Sequence, residues 1–208
     1  QFKLIMIRPD HVALAKEMIV KAHSKVTIGT VISFPEGTNT LEEKLAEAQT
    51  AIDNGADDLD FVCNYKAFID GDLETVKTEI LQGTALGLQH NKIVKWIIEV
   101  AALNEKQIIQ ICSLIKKIVI SNFKEELYQN VYVKSSTGFY VTENNLPNGA
   151  TIPAIIMMLE NASPLSIKAA GGVRTYQEAL EMIKLGVKRI GTSGALAIAS
   201  GQDSDSNY

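Results

Sequence analysis

A chain of 208 residues, 46% apolar and 21% charged, is long enough to bury one sizeable core and has the composition of an ordinary globular protein. Its formal net charge of −4 leaves no footprint for nucleic acid or an anionic membrane surface. Cys63 and Cys112 are too few for a disulfide framework and lack metal-ligand spacing; with no signal segment and no membrane-length apolar run, a reducing, cytoplasmic setting is expected.

Leu4–Ile7 reads as a strand, and Pro9 with Asp10 opens a helix over 9–22 that puts Val12, Ala15, Met18 and Ile19 on one face. A strand over 26–33 runs into the turn at 34–37. Thr40 stands three residues before Glu43, a capping-box spacing that starts a helix reaching residue 54. A third strand spans 59–63, and a helix over 73–88 turns Val76, Ile80 and Leu81 inward. The fourth strand covers 94–100. Asn104 caps a helix in which Ile108, Cys112, Ile115 and Val119 recur at helical spacing. Strand five is 131–134, and Thr151 caps a helix with Pro153 in its first turn, where a missing N–H costs nothing. Strand six ends at Lys168, a helix over 175–185 closes at Gly186, and a last strand over 187–191 precedes a short helix at 195–199.

Seven strand–helix units thus alternate with no break in composition, so 1–200 reads as one domain and 201–208 as a polar tail. Alternating units imply a parallel sheet covered by helices, and eight of them close a barrel in about 250 residues. The expected fold is α/β, a parallel (β/α)8 TIM barrel whose first strand lies upstream of Gln1. A doubly wound open sheet competes, but no dinucleotide glycine fingerprint follows the early strands.

Two lysines at strand ends carry the chemistry. Lys134 ends the run Val131-Tyr-Val and precedes Ser-Ser-Thr-Gly138; Lys168 precedes Ala-Ala-Gly-Gly172. On neighbouring parallel strands about 4.8 Å apart, two inward ammonium groups at one height disfavour mutual protonation, which drives one amine toward its neutral, nucleophilic form. The alternative is one structural lysine paired with a carboxylate. Asp60 shares a face with Asp58 and Val62 in an otherwise apolar strand, so it needs a partner. Lys95, on one face with Ile97 and Glu99 of the next strand, is the expected partner. Asp60 is a general acid/base candidate beside the lysines, and the ion pair is compatible with that role.

Gly171-Gly172 and Gly191-Thr-Ser193 follow the last two strands, where small residues let backbone N–H groups approach a phosphate. His11, His23 and His90 lie far apart, which leaves no metal-ligand cluster and no metal or other cofactor expected. Cys63 reads as packed core rather than nucleophile. Ser135 and Ser136 lack a histidine partner for acyl transfer.

Lys134-Ser-Ser-Thr-Gly-Phe139 and Lys168-Ala-Ala-Gly-Gly-Val-Arg-Thr175 resemble the two signature segments of deoxyribose-phosphate aldolases. Segments 31–37, 55–60 and 97–99 resemble family segments in the same order, and the likeness covers nearly the whole chain. It implies a class I aldolase on a TIM barrel, reversibly cleaving 2-deoxy-D-ribose 5-phosphate to acetaldehyde and D-glyceraldehyde 3-phosphate. It makes Lys134 the Schiff-base residue, Lys168 its pKa perturber and Asp60 a proton relay with water. Gly171, Gly172, Gly191 and Ser193 would hold the phosphate, and Thr137 would join substrate binding, with Lys95 in support. The family's Asp-x-Thr-like first-strand segment has no match here. The tail ending in Tyr208 resembles a mobile family tail whose terminal tyrosine assists proton transfer; its composition favours a plain polar terminus. The expected partner is a small sugar phosphate, with no nucleic acid or membrane, and a homodimer is compatible. Two other functions stay open: a sugar-phosphate-binding barrel without catalysis, and a metal-independent isomerase using Asp60 and Glu99.

Overall fold

Residues 2–143 and 146–201 are described by a computed structural model. The strands are β1 Leu4–Ile7, β2 Thr27–Ile32, β3 Asp58–Val62, β4 Ile93–Ile97, β5 Val131–Lys134, β6 Ser166–Ala170 and β7 Arg189–Gly191. They pair in chain order, all parallel, as one seven-stranded sheet. The helices are α1 Val12–Lys21, α2 Leu41–Asp53, α3 Tyr65–Asp70, α4 Leu73–Gln89, α5 Glu105–Asn122, α6 Ile152–Ala162, α7 Tyr176–Leu185 and α8 Ala195–Ala199.

The sheet curls strongly. In a flat sheet β3 and β7 would lie four strand spacings apart, about 19 Å, beyond the combined reach of two side chains. Yet Arg189 of β7 bonds Asp58 of β3. The fold is therefore TIM-barrel-like, with β1 and β7 as the edges of the seven strands expected in this chain.

Strand alternation sorts the side chains into two cores. Leu59, Phe61, Val94, Trp96, Val131, Val133, Ile167 and Ala169 face the helices and are buried in the apolar core. Trp96 stacks on Phe61 with ring centroids 4.9 Å apart and donates its indole N–H to Thr84 at 3.0 Å. Two glycines let α4 approach this pair: a Cβ at Gly83 would lie 2.9 Å from the Trp96 ring, and one at Gly87 2.3 Å from Val94. The opposite face of the strands carries Asp58, Asp60, Lys95, Tyr132, Lys134 and Lys168, all buried. A charged lumen inside an apolar jacket is the result.

Caps hold most helix starts where the spacing predicts them. Thr40 with Glu43, Asn104 with Gln107 and Thr175 with Glu178 form capping boxes, and Thr151 caps α6. Several boundaries differ. A 3-10 turn, Pro9–His11, precedes α1, and Met18 is exposed on that helix rather than on its buried face. The fourth strand stops at Ile97, and Glu99 takes a left-handed φ of 53° before a 3-10 turn at Val100–Ala102. Strand six continues to Ala170, and the last strand begins only at Arg189. Helix α3, capped by Asn64 and ended by Gly71 at φ 85°, has no counterpart in the sequence reading. Among the described residues no helix is long and apolar enough to cross a membrane.

Candidate active site

Register places the two lysines at one height: Lys134 of β5 is the direct partner of Lys168 of β6. Their ammonium nitrogens converge on the same carboxylate oxygen, Asp60 Oδ2, at 3.0 and 2.9 Å. The other oxygen, Oδ1, accepts from Lys95 Nζ at 2.6 Å. Lys95 is also 2.6 Å from Asp58 Oδ2, which in turn receives Arg189. The expected Asp60–Lys95 pair is present as one link of a longer buried chain of alternating charge.

Burial alone would raise the Asp60 carboxyl, but the charges of Lys168, Lys95 and Lys134 and the Lys95 hydrogen bond outweigh it and hold the group well below the usual carboxylate range. Asp60 is thus an anion at neutral pH. The Lys168 amine is brought down to about 7, first by burial and then by the neighbouring charges of Lys134 and Lys95, against the pull of Asp60. An amine that loses its proton near neutrality stands beside a second amine, and both share one anion.

The turn after Lys134 is anchored by its hydroxyls. Ser135 Oγ donates to the Ala170 carbonyl at 2.7 Å and accepts from the Ala170 N–H at 2.9 Å, tying β5 to β6. Thr137 donates its hydroxyl to Glu99, whose Oε2 also accepts the Thr137 N–H at 3.1 Å. Ser136 Oγ lies 2.6 Å from Glu99 Oε1 and 2.7 Å from the Asn148 carbonyl oxygen. One hydroxyl proton cannot serve two acceptors, so a Glu99 that is protonated and donates to Ser136 completes the network. Burial raises the Glu99 carboxyl, against the hydrogen bonds of Ser136 and Thr137 and the Lys134 charge, in agreement with that assignment.

The glycine loops border the same mouth. Gly171 and Gly172 have φ of 79° and 83°, a region that disfavours side chains. Gly171 packs so closely on Gly149 that a Cβ at residue 149 would lie 2.4 Å from its carbonyl oxygen. Gly172 faces open space. A Cβ at Gly191 would come within 3.1 Å of Lys168 Cε, so that loop lies directly beside the amine. Ser193 is exposed in the turn before α8, and Thr192 Oγ1 accepts the Gly194 N–H at 3.0 Å. Tyr208 lies outside the described residues.

Asp60, Lys95, Lys134, Lys168 and Gly191 are therefore brought together. Thr137 is placed on Glu99, and Glu99 sits in a turn rather than on the strand face expected for it. Cys63 is buried in the apolar core, where burial pushes its thiol well up. Sequence reasoning assigned no role to Arg189, Asp58 or Ser136. Asp58, a second acid on the inward face of its strand with Lys95 already matched to Asp60, was the one signal that a further partner was needed. Also unforeseen is a buried pair outside the lumen: Lys44 Nζ lies 2.5 Å from Glu79 Oε2 and 3.0 Å from the Val62 carbonyl oxygen, while Glu79 Oε1 accepts the Asn64 N–H at 2.6 Å. This pair fastens the outgoing end of β3. Among the described residues no three His, Cys, Asp or Glu side chains are grouped to hold a metal ion.

No protein-family model matches the chain. Named relatives do. A deoxyribose-phosphate aldolase of Thermococcus kodakarensis is 36% identical over 96% of this chain and 83% of its own length. One of Caldicellulosiruptor saccharolyticus is 38% identical over 96% of this chain and 83% of its own length. Among solved structures, the tetrameric deoxyribose phosphate aldolase of Aeropyrum pernix superposes with a TM-score of 0.76 at 28% identity, covering 96% of this chain and 76% of that one. With likeness at this level along nearly its whole length, and with the lysine segments at the mouth of a matching fold, the chain belongs to the deoxyribose-phosphate aldolase family.

Proposed function

We propose that the chain is a cofactor-free class I aldolase that reversibly cleaves 2-deoxy-D-ribose 5-phosphate to acetaldehyde and D-glyceraldehyde 3-phosphate through a Schiff base on Lys134. The observation that carries this reading is the meeting of the Lys134 and Lys168 nitrogens on one oxygen of Asp60. The neutral Lys134 amine adds to the C1 carbonyl of the open-chain sugar, and loss of water, with one proton supplied by the protonated Lys168, gives the protonated imine. A base takes the proton of the C3 hydroxyl, the C2–C3 bond breaks, and its electron pair passes into the imine to give an enamine. D-Glyceraldehyde 3-phosphate leaves. Protonation at C2 and hydrolysis then release acetaldehyde and restore the amine.

Lys168, titrating at about 7, is matched to carrying the proton at neutral pH. Asp60 is too acidic to keep a proton; as an anion it orients both amines and the water that relays protons between them. The glycine turns at 171–172 and 191–193 would present backbone N–H groups to the phosphate. Thr137 is assigned to the substrate side of the turn, held in place by Glu99. The isomerase alternative is weakened by the same contact, because both Glu99 oxygens are engaged by Ser136 and Thr137. Two free, buried cysteines suit a cytoplasmic setting. Self-association, expected as a homodimer, has as its support the tetrameric relative of Aeropyrum pernix.

Reductive trapping tests the reading. Acetaldehyde with borohydride should leave an ethyl group on Lys134, located by peptide mass spectrometry. A protein that binds the sugar phosphate without forming an adduct would be the non-catalytic barrel instead.

A further inference from the structure

Arg189 reaches into the lumen, half-buried, but belongs to neither the lysine pair nor the glycine loops. It is the register partner of Lys168, one strand over. Its guanidinium crosses the lumen over the Tyr132 ring, 5.0 Å from the centroid, and ends on Asp58 Oδ2, the oxygen that Lys95 also contacts at 2.6 Å. Lys95 therefore stands at equal distance, 2.6 Å, from Asp58 and Asp60. By distance alone Lys95 favours neither carboxylate. What differs is the far side of each: Asp58 faces a permanently charged guanidinium, and Asp60 faces the two amines.

We propose that Arg189 is a positioning residue for the amine pair, neutralising Asp58 so that Lys95 and Asp60 stay in line and no excess negative charge acts on Lys134 and Lys168. This rests on the Schiff-base reading above. The charged and titratable groups around the amines are Asp58 and Asp60 of β3, Lys95 of β4, Glu99 beyond it, Tyr132 of β5 and Arg189 of β7; β1 and β2 carry none within their strands. Glu99, bonded to Ser136 and Thr137, is common to both variants. Taking Asp58 and Asp60 as ionised and setting Glu99 and the two amines aside, the inner charges are two negative and two positive. Deleting Arg189 leaves an excess carboxylate, which favours protonated amines. Deleting Asp58 leaves an excess cation, which disfavours them. The two changes act on the amines with opposite sign, although each breaks the same contact.

The test is the pH dependence of deoxyribose 5-phosphate cleavage in Arg189→Gln and Asp58→Asn. Activity needs a neutral amine, so the acidic limb of kcat/KM should move to higher pH in Arg189→Gln and to lower pH in Asp58→Asn, each by about half to one pH unit. Arg189→Lys, which keeps the charge, should hold the limb near its wild-type position. A purely structural role predicts loss of activity with unmoved limbs, or shifts in one direction only; either result overturns the proposal. Should one variant fail to fold, the sign of the shift in the other still decides. The wild-type protein, trapped with acetaldehyde and borohydride in parallel, separates the two failures: no adduct would remove the aldolase reading itself, whereas an adduct with unmoved limbs removes only the role of Arg189.

Discussion

Lys134 and Lys168 are direct register partners on adjacent parallel strands, and each places its ammonium nitrogen within 3.0 Å of the same carboxylate oxygen. Pairs of this kind normally separate along a sheet, because like charges side by side are unfavourable. Here Asp60 reaches them from β3 only because the sheet curls. The anion stabilises the pair as a whole, while burial presses for the loss of a proton.

Replacing the nucleophile should therefore remove the reaction and spare the fold. Lys134→Leu is expected to lower cleavage of deoxyribose 5-phosphate by about a thousandfold or more, since the covalent route itself is gone. Circular dichroism should be unchanged. Appreciable turnover by this variant would transfer the nucleophile's role to another residue.

Lys168→Leu should alter the pH profile as well as the rate. The ionisation at about 7 that Lys168 contributes would disappear, and with it the like charge beside the nucleophile. The acidic limb should move toward alkaline pH. An unmoved limb would place the action of Lys168 elsewhere, for instance on the phosphate.

The lysines and Asp60 could be read from the sequence because each follows from strictly local rules. A short apolar run before a glycine turn marks a strand end, and alternation fixes the face. Glu99 escaped for the opposite reason: alternation was carried two residues past Ile97, where the backbone had already turned into a left-handed conformation that a glutamate rarely adopts. Arg189 was hidden by sequence separation, since it meets Asp58 131 residues away through curvature that no local pattern encodes. Lys44, in the run Leu41-Glu-Glu-Lys-Leu-Ala-Glu, has the pattern of a solvated helix face. Helix α3 is too short to establish a period, although its Asn64 cap and Gly71 stop were both present.

The hidden Lys44–Glu79 pair has a measurable consequence. Lys44→Met would leave the Glu79 carboxylate buried without its cation and the Val62 carbonyl without its donor. Breaking one partner of such a pair costs about 3–5 kcal/mol. Chemical denaturation should show a loss of this size. A loss below about 1 kcal/mol would mean that the pair is hydrated in solution.

Glu99 should leave a signature in the pH dependence of stability. Its carboxyl titrates higher in the folded chain than in the unfolded one. Its contribution is whole below the unfolded value and is lost as pH rises through the folded value. Glu99→Gln keeps a donor for Ser136 and an acceptor for Thr137 without titrating. The variant should match the wild type at acid pH and exceed it in Tm at neutral pH. Parallel Tm curves would show that Glu99 is ionised throughout, with Ser136 donating to it and not to Asn148.

The phosphate assignment rests on the glycine turns and can be tested apart from the chemistry. Among the described residues, none beyond its chain neighbours comes within 4 Å of where a Cβ at Gly172 would stand, so a side chain there would meet the approaching substrate rather than a packed neighbour. Residue 172 also has a φ of 83°, so valine would strain the turn and shift the N–H groups that the phosphate needs. Gly172→Val should raise KM for deoxyribose 5-phosphate by about tenfold or more, equivalent to about 1.4 kcal/mol of lost binding. Unphosphorylated deoxyribose makes no use of that site, and its reaction should change far less. The ratio of the two effects is the diagnostic quantity: equal losses on both substrates would reduce the result to damage of the loop, and the phosphate would then have to bind elsewhere on the mouth.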